Sequence, residues 1–415
     1  MVGVVDTAVM GRMPDASYIG AVAVGATIFS SIYWLFGFLR MGTTGLVAQA
    51  SGAGDTRELS RIAARGLGVA LAISASVLLL KWPIETMMFA LFEASDQVET
   101  FARSYFSIRI WGAPALMIYM VCLGMLFGTQ RMQVTLWLSV LLNVTNVVLD
   151  LLFVLGFGWG VAGVAAATLI SEWLAACIAL LVVVRMIIAA GWQRSWLTGL
   201  WQGREVVRLF QVSGNLIIRS FFVQLPFFVF TLIGARFGDV VLAANALLMQ
   251  FFFVMAFGLD GFAHTAETLS GYAYGARDRS GLRNAVRYSL IWAVIFSALI
   301  TAVYALAGPW LINQLTTLPD VRGTAIDLLP WVAVSPLVAV IAFHLDGVFI
   351  GTTRTAELRN SMFAAASLFG LVLWLTLDML GNQGLWLAMI SFLGVRGLLL
   401  IAQYPRLERR ADADV

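Results

Sequence analysis

The sequence predicts an all-α integral membrane protein with twelve transmembrane helices, the first of them truncated, in two pseudo-symmetric lobes of six helices. Three observations lead to this fold class. Sixty per cent of the 415 residues are hydrophobic, 12% are charged, and the mean hydropathy is +0.89, far from the average of soluble domains. Apolar segments long enough to cross a bilayer follow one another along nearly the whole chain. Finally, short motifs of the first half return in the second half.

The repeat has an interval of 223 residues. The sequence Gly-Ala-Gly-Asp at 52–55 returns as Gly-Ala-Arg-Asp at 275–278, and Phe-Gly-Thr at 127–129 returns as Ile-Gly-Thr at 350–352. Two drifted copies of an apolar bundle are typical of membrane proteins that hold a substrate between their halves and rock about it. The repeat therefore favours transport as the function.

Individual spans were placed by the length that a helix needs to cross a bilayer, about 20 apolar residues. The predicted spans are 20–50, 59–80, 101–128, 134–157, 160–188, 206–236, 241–275, 283–308, 324–350, 357–380 and 383–404. An apolar stub at 1–11 precedes them, and we interpret it as the outer half of a first helix that begins upstream; a short re-entrant segment is the alternative. The predicted domains are an N-terminal lobe (1–188), a linker (189–205), a C-terminal lobe (206–404) and a tail (405–415).

The charges between the spans predict the orientation of the protein. Seventeen of the 26 basic residues lie on one side of the predicted membrane, which marks that side as cytoplasmic and places both termini there. The linker then follows the cytoplasmic interface, and the acidic segment 81–100 is expected to be an external loop. Since the basic residues act as topology signals, the pI near 9.0 does not indicate nucleic-acid binding.

Little in the sequence favours catalysis or a resident metal. Cys122 and Cys177 lie within apolar segments and are expected to be buried thiols. With two histidines and no CxxC or HExxH pattern, the chain has no conventional metal motif. An intramembrane enzyme would need a nucleophile with its base or a metal constellation, and neither pattern is present. We therefore expect no enzymatic activity and no bound cofactor.

Five short motifs carry a resemblance to a known family. Residues 5–11, 143–150 and 160–168 resemble the signatures of the first, fifth and sixth helices of the multidrug and toxic compound extrusion (MATE) transporters. Residues 259–263 and 345–347 resemble the DinF branch of that family. The resemblance implies a monomeric secondary antiporter of the bacterial inner membrane, without nucleic-acid partners. It would export amphipathic or cationic organic compounds, with inward-flowing H⁺ or Na⁺ as the coupling ion.

Polar residues inside the predicted first lobe form a candidate cation-coupling site. A charge within a bilayer costs about 3 kcal/mol even on insertion scales. Asp6, Asp150 and Thr168 nevertheless fall at similar depths, roughly 9–12 Å from the external surface at 1.5 Å per residue. Asn146 shares a helical face with Asp150. Such carboxylate, amide and hydroxyl groups could share a proton or hold a transient Na⁺ between Asp6 and Asp150.

A purely structural interpretation of the same residues remains open. Asp150, Asn146 and Thr168 could simply hydrogen-bond neighbouring helices, because interhelical polar contacts are common in membrane proteins. Glu172, one turn beyond Thr168, could either join the site or pair with an arginine.

The predicted second lobe carries a different acidic group. Asp260, His264 and Glu267 fall at i, i+4 and i+7 on one helical face, and Asp346 lies at a depth similar to that of Asp260. These residues could carry protons, since histidine titrates near neutrality, or bind a cationic substrate that enters from the cytoplasm. A structural role and, for Glu267, an interfacial position are the alternatives.

Three arginines lie within apolar stretches. Arg219 is deep enough to need a buried partner, whereas Arg396 is expected to snorkel to the interface. Together with Arg40 they are the residues that could supply an arginine-rich cavity. Such a cavity would favour a flippase of lipid-linked precursors as the alternative function.

Overall fold

The computed structural model describes residues 16–90, 95–201 and 203–412, and this part of the chain consists of helices joined by short connections, without strands. We number the α-helices α1 to α14 in chain order. They are α1 Ala16–Leu35, α2 Phe38–Gly52, α3 Thr56–Leu79, α4 Lys81–Phe89, α5 Asp96–Arg109, α6 Ala113–Gly128, α7 Met132–Asp150, α8 Gly160–Ala189, α9 Arg204–Gly234, α10 Asp239–Gly275, α11 Arg279–Leu315, α12 Pro319–Gly351, α13 Thr355–Leu380 and α14 Asn382–Arg410.

Eleven helical stretches in the described residues are long and apolar enough to cross a membrane, by length and composition. Helices α1 and α2 together form one of them, Gly20–Gly52, and α5 and α6 together form another, Asp96–Gly128. Each stretch coincides with a predicted span, so the fold class predicted from the sequence is confirmed. The predicted first helix at 1–11 lies outside the described residues.

The chain divides into two compact units. The first contains Met1–Val47 and Asp55–Gly203, and the second contains Ala48–Gly54 and Arg204–Val415. Most of the predicted linker thus belongs to the first unit. Two arginines of α3 explain why, because Arg61 Nε donates to the Trp196 carbonyl at 2.8 Å and Arg65 Nε donates to the Leu200 carbonyl at 2.9 Å.

The segment 81–100, predicted to be a loop, is helical over most of its described length. Helix α4 begins at Lys81, where Pro83 in the first turn costs no hydrogen bond. Helix α5 begins at Asp96, because the side chain of Ser95 caps it by accepting from the Val98 amide. Acidic residues in the first turn of α5 further favour the helix through its dipole.

The 223-residue repeat is present in the backbone. Asp55 and Asp278 cap α3 and α11, each accepting a hydrogen bond at 2.8 Å from the amide three residues later. The preceding residues, Gly54 and Arg277, both have left-handed backbones, with φ of 67° and 55°. Arg277 adopts this region without the freedom of glycine. The bond from the Gly281 amide is the main cause that lowers the pKa of Asp278.

Glycines at equivalent positions of the repeat allow the same close contact between two helices in each half, α6 with α2 and α12 with α10. In the first unit, a side chain at Gly124 or Gly128 would meet the backbone of α2. In the second unit, a side chain at Gly347 would meet the carbonyl of Ala263, and one at Gly351 would meet another carbonyl of α10. The glycines thus let paired helices approach at backbone distance.

The second unit has an extensive apolar core. Phe230 and Trp386 lie at its centre, edge to face at 4.9 Å between ring centroids. The indole N–H of Trp386 donates to Asn245 Oδ1 at 2.9 Å, and Asn245 exchanges two further hydrogen bonds with Asn382. The buried polar atoms of Trp386 and Asn245 are therefore paired, as burial requires.

Candidate functional site

Three of the predicted coupling residues come together inside the first unit. Asn146 and Asp150 lie one turn apart on α7, and Thr168 lies on α8. Asn146 and Asp150 are fully buried, and Thr168 is 1% exposed. We call Asn146, Asp150 and Thr168 the α7–α8 polar site. Asp6, the fourth predicted member, lies outside the described residues.

Hydrogen bonds determine how the α7–α8 polar site is oriented. Thr168 Oγ1 donates to the Val164 carbonyl at 3.0 Å, so its oxygen is available as an acceptor. Asn146 Nδ2 donates to that oxygen at 3.2 Å. The amide oxygen of Asn146 is then left without a hydrogen-bond partner among the described residues. A buried acceptor of this kind costs about 1–3 kcal/mol unless a ligand, water or proton donor satisfies it.

A local change in helix geometry follows the site directly. Helix α7 ends at Asp150, and the next six residues, Leu151–Gly156, form a π-helical turn. Such turns are rare and often occur at functional sites, because they widen the helix and interrupt its regular hydrogen bonds. Sequence periodicity does not reveal a π turn, so this feature was not predicted.

The donor set of the α7–α8 polar site suits a proton or Na⁺. It offers a carboxylate, an amide carbonyl and a hydroxyl, which are hard oxygen ligands. Within the described residues no group of three or more His, Cys, Asp or Glu side chains could hold a metal ion. Asn143, three residues before Asn146 on α7, donates instead to the Ser139 carbonyl of its own helix at 2.7 Å.

Glu172 pairs with an arginine, as one of the two sequence alternatives proposed. Its Oε1 accepts from Arg109 Nη2 at 2.8 Å, and both side chains are at most 10% exposed. The guanidinium of Arg109 also lies over the ring of Phe29, 5.2 Å from its centroid. This arrangement links α1, α5 and α8, and it gives Glu172 a partner separate from Thr168.

The second unit buries a cluster of two arginines around one carboxylate, which we call the Arg–Asp–Arg cluster. Asp346 Oδ2 accepts from Arg219 Nη2 at 2.5 Å and lies 3.1 Å from Arg396 Nη2. Asp346 is 5% exposed and Arg396 is 2% exposed. The guanidinium of Arg396 is further stabilised by the rings of Phe343 and Phe392, at 4.9 and 5.8 Å from their centroids.

This cluster corrects one sequence interpretation and confirms another. Arg396 does not snorkel, because its guanidinium is buried against Asp346 and two aromatic rings. Arg219 has the buried partner that its depth required. Asp346 was expected to be a carboxylate that could bind a cation. Binding of a further cation is unfavourable, because two guanidinium groups already compensate its negative charge.

The predicted stripe on α10 is only partly buried. Glu267 is 1% exposed, which argues against the interfacial alternative for this residue. Its Oε2 lies 3.4 Å from His264 Nδ1, and the His264 side chain is 32% exposed. Asp260 is half-buried and close enough to Arg396 to attract it electrostatically. The stripe therefore extends along α10 from the neighbourhood of the Arg–Asp–Arg cluster.

A buried histidine of the second unit was missed by the sequence reasoning. His344 Nε2 lies 2.7 Å from Ser289 Oγ, joining α12 to α11, and His344 is 1% exposed. Its position two residues before Asp346 was the available signal. Because Ser289 Oγ also lies within hydrogen-bond distance of the Ala285 carbonyl at 2.6 Å, the pair resembles a helix–helix contact more than a nucleophile with its base.

Two repeated helical units with buried carboxylates on apolar helices define the class of protein. Such an architecture is that of a multi-pass membrane transporter. The MatE family profile matches residues 1–152 and 216–376. The chain belongs to this family, and it is a membrane transporter and not an enzyme.

Individual relatives support the same assignment. The chain is 42% identical over 410 residues to the DNA damage-inducible protein F of Escherichia coli (strain K12), covering 98% of this chain and 88% of that protein. It is 23% identical to the probable multidrug resistance protein NorM of Idiomarina loihiensis, covering 99% and 91%. A solved outward-facing multidrug resistance MATE family transporter has the same fold, with a TM-score of 0.85, 20% identity, and coverage of 99% and 91%.

Proposed function

We propose that this transporter is a secondary antiporter that exports amphipathic organic compounds in exchange for inward-moving H⁺ or Na⁺. The observation that carries the proposal is the α7–α8 polar site, where a fully buried carboxylate lies one turn from an amide oxygen without a described partner. Asp6 joins this site in the proposal on the strength of its motif and predicted depth.

The physical basis of coupling is a change of charge at a buried site. An ionised Asp150 is costly within apolar helices, and the binding of H⁺ or Na⁺ removes that cost. If the two main conformations of the transporter differ in how well they accommodate the charge, ion binding shifts their populations. A difference of a few kcal/mol is sufficient for such a shift.

The proposed substrates follow from the relatives. NorM of Idiomarina loihiensis is described as a probable multidrug resistance protein, and the solved transporter is a multidrug resistance protein. Both support drug export by this chain. The flippase alternative is less favoured, because Arg219 and Arg396 form one compact pair around a carboxylate and not an extended arginine-rich surface.

We further propose that the protein lies in the bacterial inner membrane with its arginine-rich connections in the cytoplasm. The excess of arginine between the spans on one side supports this orientation. Antiport then brings the coupling ion in and carries the substrate out.

The deciding experiment is efflux from proteoliposomes containing the full-length protein. A proton gradient and a sodium gradient are imposed separately, and the release of a fluorescent amphipathic cation is recorded. We expect one of the two gradients to accelerate release several-fold over protein-free liposomes. If folded and correctly inserted protein releases the cation at the same rate with and without each gradient, the antiport proposal is contradicted.

A further inference from the structure

We propose that the Arg–Asp–Arg cluster of the second unit binds the acidic group of an organic substrate, so that the transported compounds include amphipathic anions. The inference rests on the proposed export function and concerns its substrate class. It gives the second unit a role separate from cation coupling at the α7–α8 polar site. The expected ligand chemistry is a carboxylate or sulfonate attached to an apolar or aromatic body.

The geometry of the cluster is the first argument. Arg219 on α9 and Arg396 on α14 converge on the same oxygen, Asp346 Oδ2, at 2.5 and 3.1 Å. One carboxylate oxygen thus serves two guanidinium groups. Asp346 is therefore unsuited to a cationic substrate while it is ionised, because the approaching cation would meet two positive charges.

Unused hydrogen-bond donors are the second argument. The Nε atoms of Arg219 and Arg396 are buried and have no hydrogen-bond partner among the described residues. Arginine presents its donors in a planar fork that matches the two oxygens of an anionic group. Asp346 Oδ2 lies within bonding distance of one Nη of each fork, while Asp346 Oδ1 is itself buried without a hydrogen-bond partner among the described residues, so it does not reach either Nε. A substrate anion supplies the acceptors that remain missing.

Neighbouring charges modulate the cluster without supplying those acceptors. Asp260 on α10 attracts Arg396 electrostatically and offsets part of its charge, yet Arg396 Nε remains without an acceptor. On the same helix, Glu267 lies beside His264. Asp346 and the acidic residues of α10 thus balance the charge of the two arginines, so the unfilled Nε donors, and not an excess of positive charge, are what the anion binds.

Access and surroundings also fit an amphipathic ligand. The Arg219 side chain is 14% exposed, whereas that of Arg396 is 3% exposed, so Arg219 is the more accessible of the two arginines. The Arg396 guanidinium packs over the rings of Phe343 and Phe392, which restrict its movement. A fixed guanidinium loses little conformational freedom when the anion binds.

Binding to the purified full-length protein in a neutral detergent tests this inference without any ion gradient. Three ligands with the same indole-ethyl body are compared by titration calorimetry: indole-3-propionate, tryptophol and tryptamine. We expect the wild-type protein to bind the anion at least about tenfold more tightly than the neutral and cationic ligands, the size of effect typical of one charge-assisted hydrogen bond.

The decisive variant is Arg219→Gln. It leaves Asp346 paired with Arg396, so the buried carboxylate keeps a partner, and it should remove the preference for the anion while leaving tryptophol binding unchanged. Arg219→Lys, which keeps the charge but not the fork, should lose most of the preference as well. The matched control is Arg322→Gln, because Arg322 binds only backbone carbonyls in the described part of the unit.

The outcomes separate the inference from the proposed function. Equal binding of the three ligands by the wild type, or an unchanged preference in folded Arg219→Gln and Arg219→Lys proteins, overturns the anion site. Competition by phosphatidylglycerol without any binding of indole-3-propionate also overturns it, because the acceptor is then a lipid headgroup. Anion binding without gradient-driven efflux supports the site and contradicts the antiport proposal instead.

Discussion

Asn146 Nδ2 lies 3.2 Å from Thr168 Oγ1, and this hydrogen bond joins α7 to α8 one turn before Asp150. The two residues are 22 positions apart, and both are almost completely inaccessible to solvent. Since the Thr168 hydroxyl donates its hydrogen bond to the Val164 carbonyl, its oxygen acts as the acceptor for Asn146 Nδ2. The position of the Asn146 amide beside Asp150 therefore depends on a single hydroxyl group.

Replacing that hydroxyl should destabilise the first unit and disturb its site. Thr168→Val keeps the shape of the side chain but leaves Asn146 Nδ2 without its acceptor, a cost of about 1–3 kcal/mol. We expect a lower thermal unfolding temperature and a weaker dependence of efflux on the coupling ion. Thr168→Ser retains the hydroxyl and should behave like the wild type in both measurements. Equal unfolding temperatures for the two variants would refute the assigned role of the hydrogen bond.

Removing the charge of Asp150 should abolish coupling. Asp150→Asn keeps the size of the side chain but cannot release or bind a proton, so gradient-driven efflux is expected to fall to the level of protein-free liposomes. Asp378→Asn is the matched control, because it makes the same change at an exposed position near the end of α13. Wild-type efflux rates in the Asp150→Asn protein would exclude this residue from the coupling machinery.

The Arg109–Glu172 pair should act mainly on stability. Breaking a buried ion pair on one side leaves an uncompensated charge and costs about 3–5 kcal/mol. Arg109→Met and Glu172→Met should each lower the yield of folded protein strongly, whereas the double variant should recover much of the loss. A double-mutant cycle on thermal unfolding measures this coupling. Additive losses in the cycle would mean that the pair contributes no mutual stabilisation.

Substitution of the repeat glycines should destabilise the protein where an added side chain would meet the backbone of a neighbouring helix. Gly347→Ala places a methyl group against the Ala263 carbonyl, and Gly351→Ala places one against another carbonyl of α10. Each should lower the unfolding temperature of the protein, because the backbone of α10 can move only by separating the helices. Gly370→Ala is the control, since a side chain there meets nothing within 4 Å. Its unfolding temperature should equal or exceed that of the wild type.

The agreement between sequence and structure is closest for features that depend on neighbours along the chain. Span positions follow from runs of apolar residues, and the two copies of the repeated four-residue motif, which end in Asp55 and Asp278, form the same helix cap. The segment 81–100 was the exception, because its polar residues suggested a loop although they stabilise helix starts. Ser95 and the acidic first turn of α5 illustrate this, since polarity at a helix N-terminus is a signal for a helix.

The sequence predicted which residues form the α7–α8 polar site better than it predicted the hydrogen bonds between them. Asn146 and Asp150 share a helical face, and burial of both follows from the periodicity of α7. The acceptor of Asn146 could not be inferred in the same way, because α8 carries a second hydroxyl, that of Ser171, three residues after Thr168. The π turn after Asp150 has no periodicity signal at all.

By itself the sequence determined the membrane class, the order of the spans and the 223-residue repeat, because hydropathy and turn chemistry act over short distances along the chain. Only the tertiary structure decided which buried charges meet. Arg219 reaches Asp346 across 127 residues and Arg109 reaches Glu172 across 63. Every arginine and every acid on an apolar helix needs a partner, but a helix can bring many candidates to the same depth. The choice among them follows from which helix faces pack together, and that is a property of the folded units.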